Sequence, residues 1–550
     1  LRNPNIIVSK VMTGSTEKRK KAALPLVLTL GIALGMLIGI NLQSSGSFYG
    51  NGTTQKLKEV LNLIDRNYVD EADPGKLADD AISHLLGKLD PHSVYISASD
   101  REAANEDLRG NYEGIGIEFS IFRDTLTVIA PLSGGPSEEA GLLSGDKIIR
   151  VDTTVIAGTG LTNSQVFKLL KGPSGTEVNL RVLRRKEQKD YTITRAKIPQ
   201  YSVDVSYMIG PETGYIKVNR FSSTTYQEFY DGLYELRSKG MKKLILDLQG
   251  NPGGYMDEAI QLADEFLPAG QKIVYTKGKN GRFAQNADAT DQGVFEKGEL
   301  IVLVNEGSAS ASEILAGALQ DNDRAILVGR RTYGKGLVQS PFNLKDGSEL
   351  RLTISRYYTP SGRSIQKPYG DEYSYAEDLD NRFRRGEFFH SDSIRFNDSL
   401  RYKTIGGRSV YGGGGIMPDY FVPLDTTQNF VFLNELYNTG TIQEYTLNYA
   451  EQNKKRLQDI GLDQFLSDFQ VNDEMLSDLN KLAARNGVKS TPANGNKNNE
   501  IVRTHMKAQI ARKIWNNSGF YPVINTLNEV LQQAIRLLDS GTQEILNIKG

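Results

Sequence analysis

The chain has 550 residues, a formal net charge of −1 from 65 lysines and arginines against 66 aspartates and glutamates, and 39% hydrophobic content. That length exceeds one ordinary core at roughly 150 residues per domain. The near-neutral balance excludes a nucleic-acid binder driven by global charge, and the composition excludes a largely disordered chain. Cysteine is absent and only His84, His92, His390 and His505 supply imidazole. With no H-E-x-x-H pair, disulfides, thiol nucleophiles, thiolate metal sites and zinc proteases of that type are excluded. Hydrolytic chemistry has to come from hydroxyl, amine or carboxylate groups.

In chain order, Ala22–Leu42 is apolar apart from Thr29 and Asn41 and follows Lys18-Arg19-Lys20-Lys21. The length favours a retained membrane anchor over a cleaved signal, although Ser44-Ser45-Gly46-Ser47 offers small residues for a signal peptidase. Either reading leaves the basic cluster cytoplasmic and the remainder across the membrane, so residues 1–50 read as a basic tail with an anchor or signal segment. The expected location is the extracytoplasmic (periplasmic) side of a bacterial inner membrane, single-pass anchored, with the membrane as a partner. Residues 51–109 read as a helical region, with Leu57, Val60, Leu61 and Ile64 at helical spacing and breaks at Asp73-Pro74 and Asp90-Pro91. Residues 110–197 alternate in short strands with glycine turns.

Residues 198–427 read as an α/β core. Apolar strands over Gly214–Phe221, Lys243–Leu248, Lys272–Thr276, Glu299–Asn305 and Arg324–Gly329 alternate with helical patterns at Thr224–Ser238, Tyr255–Phe266 and Ala311–Leu319, which predicts a mostly parallel sheet. Within it, residues 371–415 look like an insertion or long loop. Residues 428–550 read as helical, interrupted by a polar linker over Lys489–Glu500. The apolar stripe Leu527, Leu531, Ile535 and Leu538 suits an internal core better than an interface.

Three segments carry chemistry. Gly114-Ile115-Gly116-Ile117 precedes a strand, and glycines there let backbone N–H groups converge on an anion such as a terminal carboxylate. Ser310 stands at a strand-to-helix turn in Gly307-Ser308-Ala309-Ser310-Ala311-Ser312-Glu313. There a hydroxyl projects from the sheet edge and the first helical N–H groups can hold an oxyanion. Ser310-x-x-Glu313 is equally a capping box. Lys335 lies between Gly334 and Gly336, where neighbouring backbone can approach closely and draw the amine out of water, lowering its pKa. The same stretch is nearly a phosphate-binding loop, but it lacks the following Ser or Thr and the helix such a loop requires.

Ala140-Gly141-Leu142-Leu143-Ser144-Gly145-Asp146-Lys147-Ile148-Ile149, the helix around Val166–Leu170 and Gly175-Thr176-Glu177-Val178 resemble, in order and spacing, a PDZ domain over residues 111–186. Together with Asp90-Pro91-His92-Ser93, Ser308–Ile314, Lys335 and Gly414-Gly415-Ile416-Met417-Pro418-Asp419, the chain resembles the carboxyl-terminal processing peptidases, or tail-specific proteases, over about residues 55–425. The resemblance implies a Ser310–Lys335 dyad, with Gln339 orienting the amine. It also implies an oxyanion hole from the N–H of Ala311 and of Gly253 or Gly254, and a peptide groove at Gly114–Ile117. Gln249 replaces the family's usual arginine in Asp247-Leu248-Gln249-Gly250-Asn251-Pro252-Gly253-Gly254.

The expected fold class is therefore α/β and multidomain: an N-terminal membrane segment and helices, a β-rich PDZ domain, an α/β crotonase-like peptidase core and a helical C-terminal extension. The expected function is a serine endopeptidase that recognises protein C-termini and cleaves through an acyl-enzyme, with no cofactor and no metal. Its partners would be proteins or peptides with free C-termini, a homo-oligomer or adaptor at the helical ends, and no nucleic acid. The alternatives are an inactive membrane-tethered PDZ scaffold, a P-loop nucleotidase and a crotonase-type enzyme.

Overall fold

The computed structural model describes residues 51–132, 134–370, 375–395, 397–425, 430–490 and 496–540. The chain divides after His84 into two units. The first contains the helix Asn51–Asn67 and most of the helix Pro74–Gly87; the second contains the sheets and the remaining helices.

A six-stranded sheet runs in the order Val203–Met208, Thr213–Val218, Lys243–Asp247, Glu299–Val304, Ile326–Gly329, Tyr420–Phe421. The first pair is antiparallel and the others parallel. Side chains alternate along a strand, so apolar runs buried on both faces need two covering layers. Leu244, Leu246, Leu300, Val302 and Leu327 pack with Phe229, Leu233, Leu262 and Leu315 from the helices Thr225–Ser238, Met256–Asp264 and Ala311–Asp321. Ile245, Ile301, Leu303, Ile326 and Val328 face the other way, against Val530, Leu531, Ala534 and Leu538 of the helix Glu529–Ser540. The C-terminal stripe is thus the second layer of the core: Leu531 and Leu538 are buried, Ile535 is packed against the same cluster, and Leu527 packs in the preceding helical cluster.

Lys272–Gly278 is a strand but leaves this sheet. It pairs antiparallel with Glu349–Tyr358, which also pairs with Val94–Ile96 and Leu337–Asn343. This second sheet brings the Asp90–Ser93 turn against Thr353 of Glu349–Tyr358, the strand that pairs with the one following Lys335. The β-rich unit orders Ile117–Phe122, Thr125–Pro131, Lys147–Val151, Glu177–Arg184 and Glu187–Thr194 around one apolar cluster that includes Val166 and Leu170 of the helix Asn163–Leu170. Residues 375–415 hold a helix, Asp378–Arg384, and a hairpin, Arg401–Lys403 with Ser409–Tyr411. The helices Val431–Asn438, Thr441–Asp468, Asp473–Arg485 and Asn496–Ile524 share a core of their own, and the last of them begins inside the expected 489–500 linker.

The expected membrane segment requires correction, and with it the transmembrane anchor, the membrane partner and the periplasmic, inner-membrane location. Residues 22–42, on which it rested, lie outside the described residues, and among the described residues no helix is long and apolar enough to cross a membrane. The two longest, Thr441–Asp468 and Asn496–Ile524, carry Lys454, Lys455 and Arg456, and Arg503, Lys507, Arg512 and Lys513 along their lengths. The fold that the described residues support is α/β and multidomain.

Arg363 and Asp321 form a fully buried ion pair at 2.7 Å, and Arg363 also donates to Gln320 at 2.8 Å and to the Tyr411 carbonyl at 3.1 Å. Removing one partner strands the other charge. Arg363→Met is expected to cost about 3–5 kcal/mol, seen as a lower urea midpoint at unchanged slope; an unchanged midpoint would show that the pair contributes nothing.

Candidate active site

The three loops that leave the carboxyl ends of Lys243–Asp247, Glu299–Val304 and Ile326–Gly329 converge on one side of the parallel sheet, the side where α/β folds place their ligands. A cleft of about 730 Å³ there is lined by Gly253, Gly254, Ser310, Ala311, Lys335, Gln339, His92 and Arg351, among others. Sequence motifs that stand far apart along the chain, around His92, Gly253, Ser310 and Lys335, therefore meet in one place.

Ser310 is the residue before the helix Ala311–Asp321 and has φ 55° and ψ −113°. A helix N-cap is ordinarily extended, and a non-glycine residue held in such a region costs of order 1–3 kcal/mol. The strained turn presents Ser310 to the cleft. The capping box is present as well, with the Ser310 N–H donating to Glu313 Oε2 at 2.9 Å. The two readings of Ser310-x-x-Glu313 are not exclusive.

The Glu313 carboxylate reaches further. It also accepts the Thr332 hydroxyl at 2.5 Å, the Gly334 N–H at 2.7 Å and the Lys335 N–H at 2.8 Å. Three backbone N–H groups that can only donate, with the Thr332 hydroxyl beside them, favour the ionised form. Burial opposes that form and pushes the pKa up to about 7, against the lowering effect of the hydrogen bonds from Thr332, Lys335, Gly334 and Ser310. The Tyr357 hydroxyl makes a second tie, donating to the Lys335 carbonyl at 2.8 Å and lying 3.2 Å from that of Ser310.

Lys335 is half-buried, and its pKa is lowered by burial, raised by Glu313, lowered by Arg351 and raised by Asp90. Gly334 and Gly336 explain how the loop is enclosed. A Cβ on Gly334 would lie 3.1 Å from the Gly415 nitrogen, and one on Gly336 would lie 2.9 Å from the Gln366 nitrogen. Residues 375–415 close around the same loop: Arg382, fully buried, donates to the Thr332 carbonyl at 3.0 Å and to the Arg331 carbonyl at 2.7 Å. After Lys335 the chain enters the strand Leu337–Asn343 rather than a helix, so no helix terminus faces a bound phosphate as a P-loop requires.

Gln339 lines the cleft with its amide nitrogen donating to Thr353 Oγ1 at 3.2 Å. Thr353 donates to Asp90 at 3.0 Å, and Asp90 also takes the Ser93 hydroxyl at 2.7 Å and the His92 and Ser93 N–H groups at 2.8 Å each. His92 Nε2 lies 2.9 Å from the Tyr375 hydroxyl. Burial and the Lys335 charge, only partly offset by Asp90, lower its pKa to about 4, so it is neutral beside the lysine.

On the opposite wall, Asn251 fixes the glycine loop to the serine turn. Its carbonyl accepts the Ala309 N–H at 3.0 Å and the Ser312 hydroxyl at 3.0 Å, and its side-chain oxygen takes the Gly253 N–H at 2.9 Å. A Cβ on Gly253 would stand 2.7 Å from Ser310 Cβ and 2.9 Å from the Ala311 nitrogen, so only glycine fits. Gly254 faces Phe221 in a parallel bridge whose bonds come from Phe221 and Tyr255. In that pattern the Gly254 N–H points away from Phe221.

In the β-rich unit, Gly114–Ile117 lies at the entry to Ile117–Phe122, the outermost strand of its sheet. Gly116 has φ 70°, and Ile115 and Ile117 are buried. Phe119 and Phe167 approach edge-to-face at 5.5 Å between the strand Ile117–Phe122 and the helix Asn163–Leu170.

Family models match "Peptidase family S41" over residues 212–371, "PDZ domain" over 114–194 and a family of unknown function over 432–516. A "Probable CtpA-like serine protease" of Staphylococcus aureus strain N315 is 36% identical over 345 residues, 62% of this chain and 68% of that protein. The chain belongs to peptidase family S41. This S41 protein is a PDZ-containing serine peptidase of the carboxy-terminal-processing type. It is also 35% identical to a "Carboxy-terminal-processing protease" of Bartonella bacilliformis, over 61% of this chain and 78% of that one. Among solved structures it matches a photosystem II D1 C-terminal processing protease at 29% identity, covering 57% of this chain and 91% of that one with a TM-score of 0.34.

No sequence motif gives Asn251 or His92 a role of its own, Glu313 reads there only as a capping partner, and Tyr357, Tyr375 and Arg382 belong to no motif. Asn251, His92 and Glu313 stand inside recognisable motifs; the others are distant in sequence and carry no local signal. Glu313→Gln replaces an acceptor by an amide that donates on one side, loosening the Ser310 and Lys335 loops together. Peptidase kcat is expected to fall about 100-fold, the scale of a 1 Å misplacement, with the far-UV spectrum unchanged; activity at the parent level would show that the carboxylate is only a cap.

Proposed function

We propose that Ser310 and Lys335 are the nucleophile and general base of a peptidase that receives substrate C-termini from the Gly114–Ile117 groove. The observation that carries this reading is the Glu313 carboxylate, which joins the serine turn and the lysine loop at one cleft. Neutral Lys335 takes the proton of the Ser310 hydroxyl as its oxygen attacks the scissile carbonyl. The amine returns that proton to the leaving nitrogen, the peptide C–N bond breaks, and an ester to Ser310 remains. Water, deprotonated by the same amine, then releases the new carboxyl end.

Ala311 and Gly254 supply the oxyanion N–H groups, each worth about 3 kcal/mol of barrier. Gly253, whose N–H is committed to Asn251, gives the close approach instead. Gln339, its amide nitrogen committed to Thr353, has its carbonyl oxygen to offer the amine. The free carboxylate of the substrate docks on the N–H groups of the Gly114–Ile117 loop while its chain adds to the edge of Ile117–Phe122.

Ser310→Ala and Lys335→Ala are each expected to reduce cleavage of a protein with an accessible C-terminus by about 10⁶-fold, measured by product mass. Turnover within tenfold of the parent in either variant would refute the dyad.

The pH profile has a fixed sign. Lys335 works when deprotonated and Glu313 when ionised, so kcat rises with pH through both groups. The carboxyl limb lies near pH 7 and the amine limb below the ordinary lysine value of 10.5. Arg351 lowers the lysine pKa by repulsion, so Arg351→Gln should move the upper limb to higher pH. A profile that stays in place would show that Arg351 does not act on the amine.

A further inference from the structure

The oxyanion loop has a support that no motif announces. Asp247, held by the Tyr215 hydroxyl at 2.6 Å and Lys217 at 3.4 Å, takes the Gln249 N–H at 2.8 Å, and Lys217 also donates to the Gln249 carbonyl at 3.1 Å. The Gln249 side chain leaves this cluster. Its Oε1 accepts from Asn528 Nδ2 at 2.9 Å, across 279 positions of sequence. Asn528 is the residue before the helix Glu529–Ser540, and its Oδ1 accepts the Leu531 N–H at 3.2 Å. One amide therefore caps the helix with its oxygen and grips the start of the glycine loop with its nitrogen. The helix cannot drift, since Val530, Leu531, Ala534 and Leu538 fill the second face of the catalytic sheet and Lys243 donates to the Leu538 carbonyl at 2.9 Å. The element before it is anchored too: Tyr521 donates to Asp204 at 2.5 Å, and Asn525 donates to Tyr207 at 3.0 Å. Gln249 stands where the resemblance implies arginine, and a neutral amide is what suits a neutral amide partner.

We propose that Asn528 is a positioning residue for the oxyanion loop, so that the C-terminal extension forms part of the catalytic machinery through the Asn528–Gln249 bond. The bond fixes Gln249, and through it the backbone Gln249–Gly254, whose Gly254 N–H must already be aimed when negative charge develops. The effect on turnover rests on the peptidase reading; the tie itself does not.

Asn528→Ser keeps an oxygen to cap the helix and removes the amide donor. In the full chain, kcat should fall about tenfold, the worth of one hydrogen bond felt in the transition state, with KM unchanged within twofold. Hydrogen exchange in peptides spanning 248–254 should accelerate while that of 531–538 does not. Gln249→Arg should also lower kcat, since its guanidinium meets an amide donor, and adding Asn528→Asp should restore at least half of the loss through an ion pair. Parent-level kcat and exchange in Asn528→Ser, or a double variant no better than Gln249→Arg alone, would overturn the proposal. If the parent chain cleaves no peptide while Asn528→Ser still loosens 248–254, the peptidase reading fails and the tie stands.

Discussion

A single buried carboxylate organises this active centre. Glu313 receives the backbone of the Ser310 turn and three donors of the lysine loop, and it is fully buried. Charge-assisted bonds of this kind are short and directional, so two loops from neighbouring strands are held as one rigid body. The cost is desolvation, visible in the raised pKa of the carboxyl. That cost is offset only while all four donors remain in place, which couples the geometry of the Ser310 turn and the Lys335 loop to the ionisation of Glu313.

Around that tie the chain removes water from the lysine without giving it a close acidic partner. No carboxylate lies within ion-pair distance of Lys335 among the described ion pairs, and Arg351 and the neutral His92 share its cleft. Segments from far along the sequence supply the enclosure. Gln366 and Gly415 press backbone against Gly336 and Gly334, and Arg382 binds the carbonyls of Arg331 and Thr332. The 375–415 region is thus a wall built around the Lys335 loop rather than an ornament.

The C-terminal helices extend the same logic to the other side of the sheet. Phe122 and Ile129 of the PDZ unit pack on Leu447, and Glu118 faces Arg512 and Lys513 at 3.7 and 3.6 Å. The extension therefore contacts the peptide-binding unit through the helices Thr441–Asp468 and Asn496–Ile524, and the catalytic sheet through Glu529–Ser540. Glu118 belongs to the outermost PDZ strand, so the surface behind the groove is fixed to the same extension that carries Asn528.

Elements whose physics is local were legible in the residues alone. Short apolar runs bounded by turn residues marked the parallel strands at Lys243, Glu299 and Ile326, the Ser310 turn declared itself by its place between strand and helix, and Gly334 and Gly336 announced a close approach. Which backbone makes that approach, that Lys272–Gly278 joins a second sheet, that the Gly253 N–H is taken by Asn251 while that of Gly254 points elsewhere, and that Asn528 reaches Gln249 all follow from the packing of the whole chain. The reason is physical: a pattern of side chains fixes what a segment can bury, whereas the partner of a hydrogen bond depends on how segments hundreds of residues apart are packed, and no local periodicity records that.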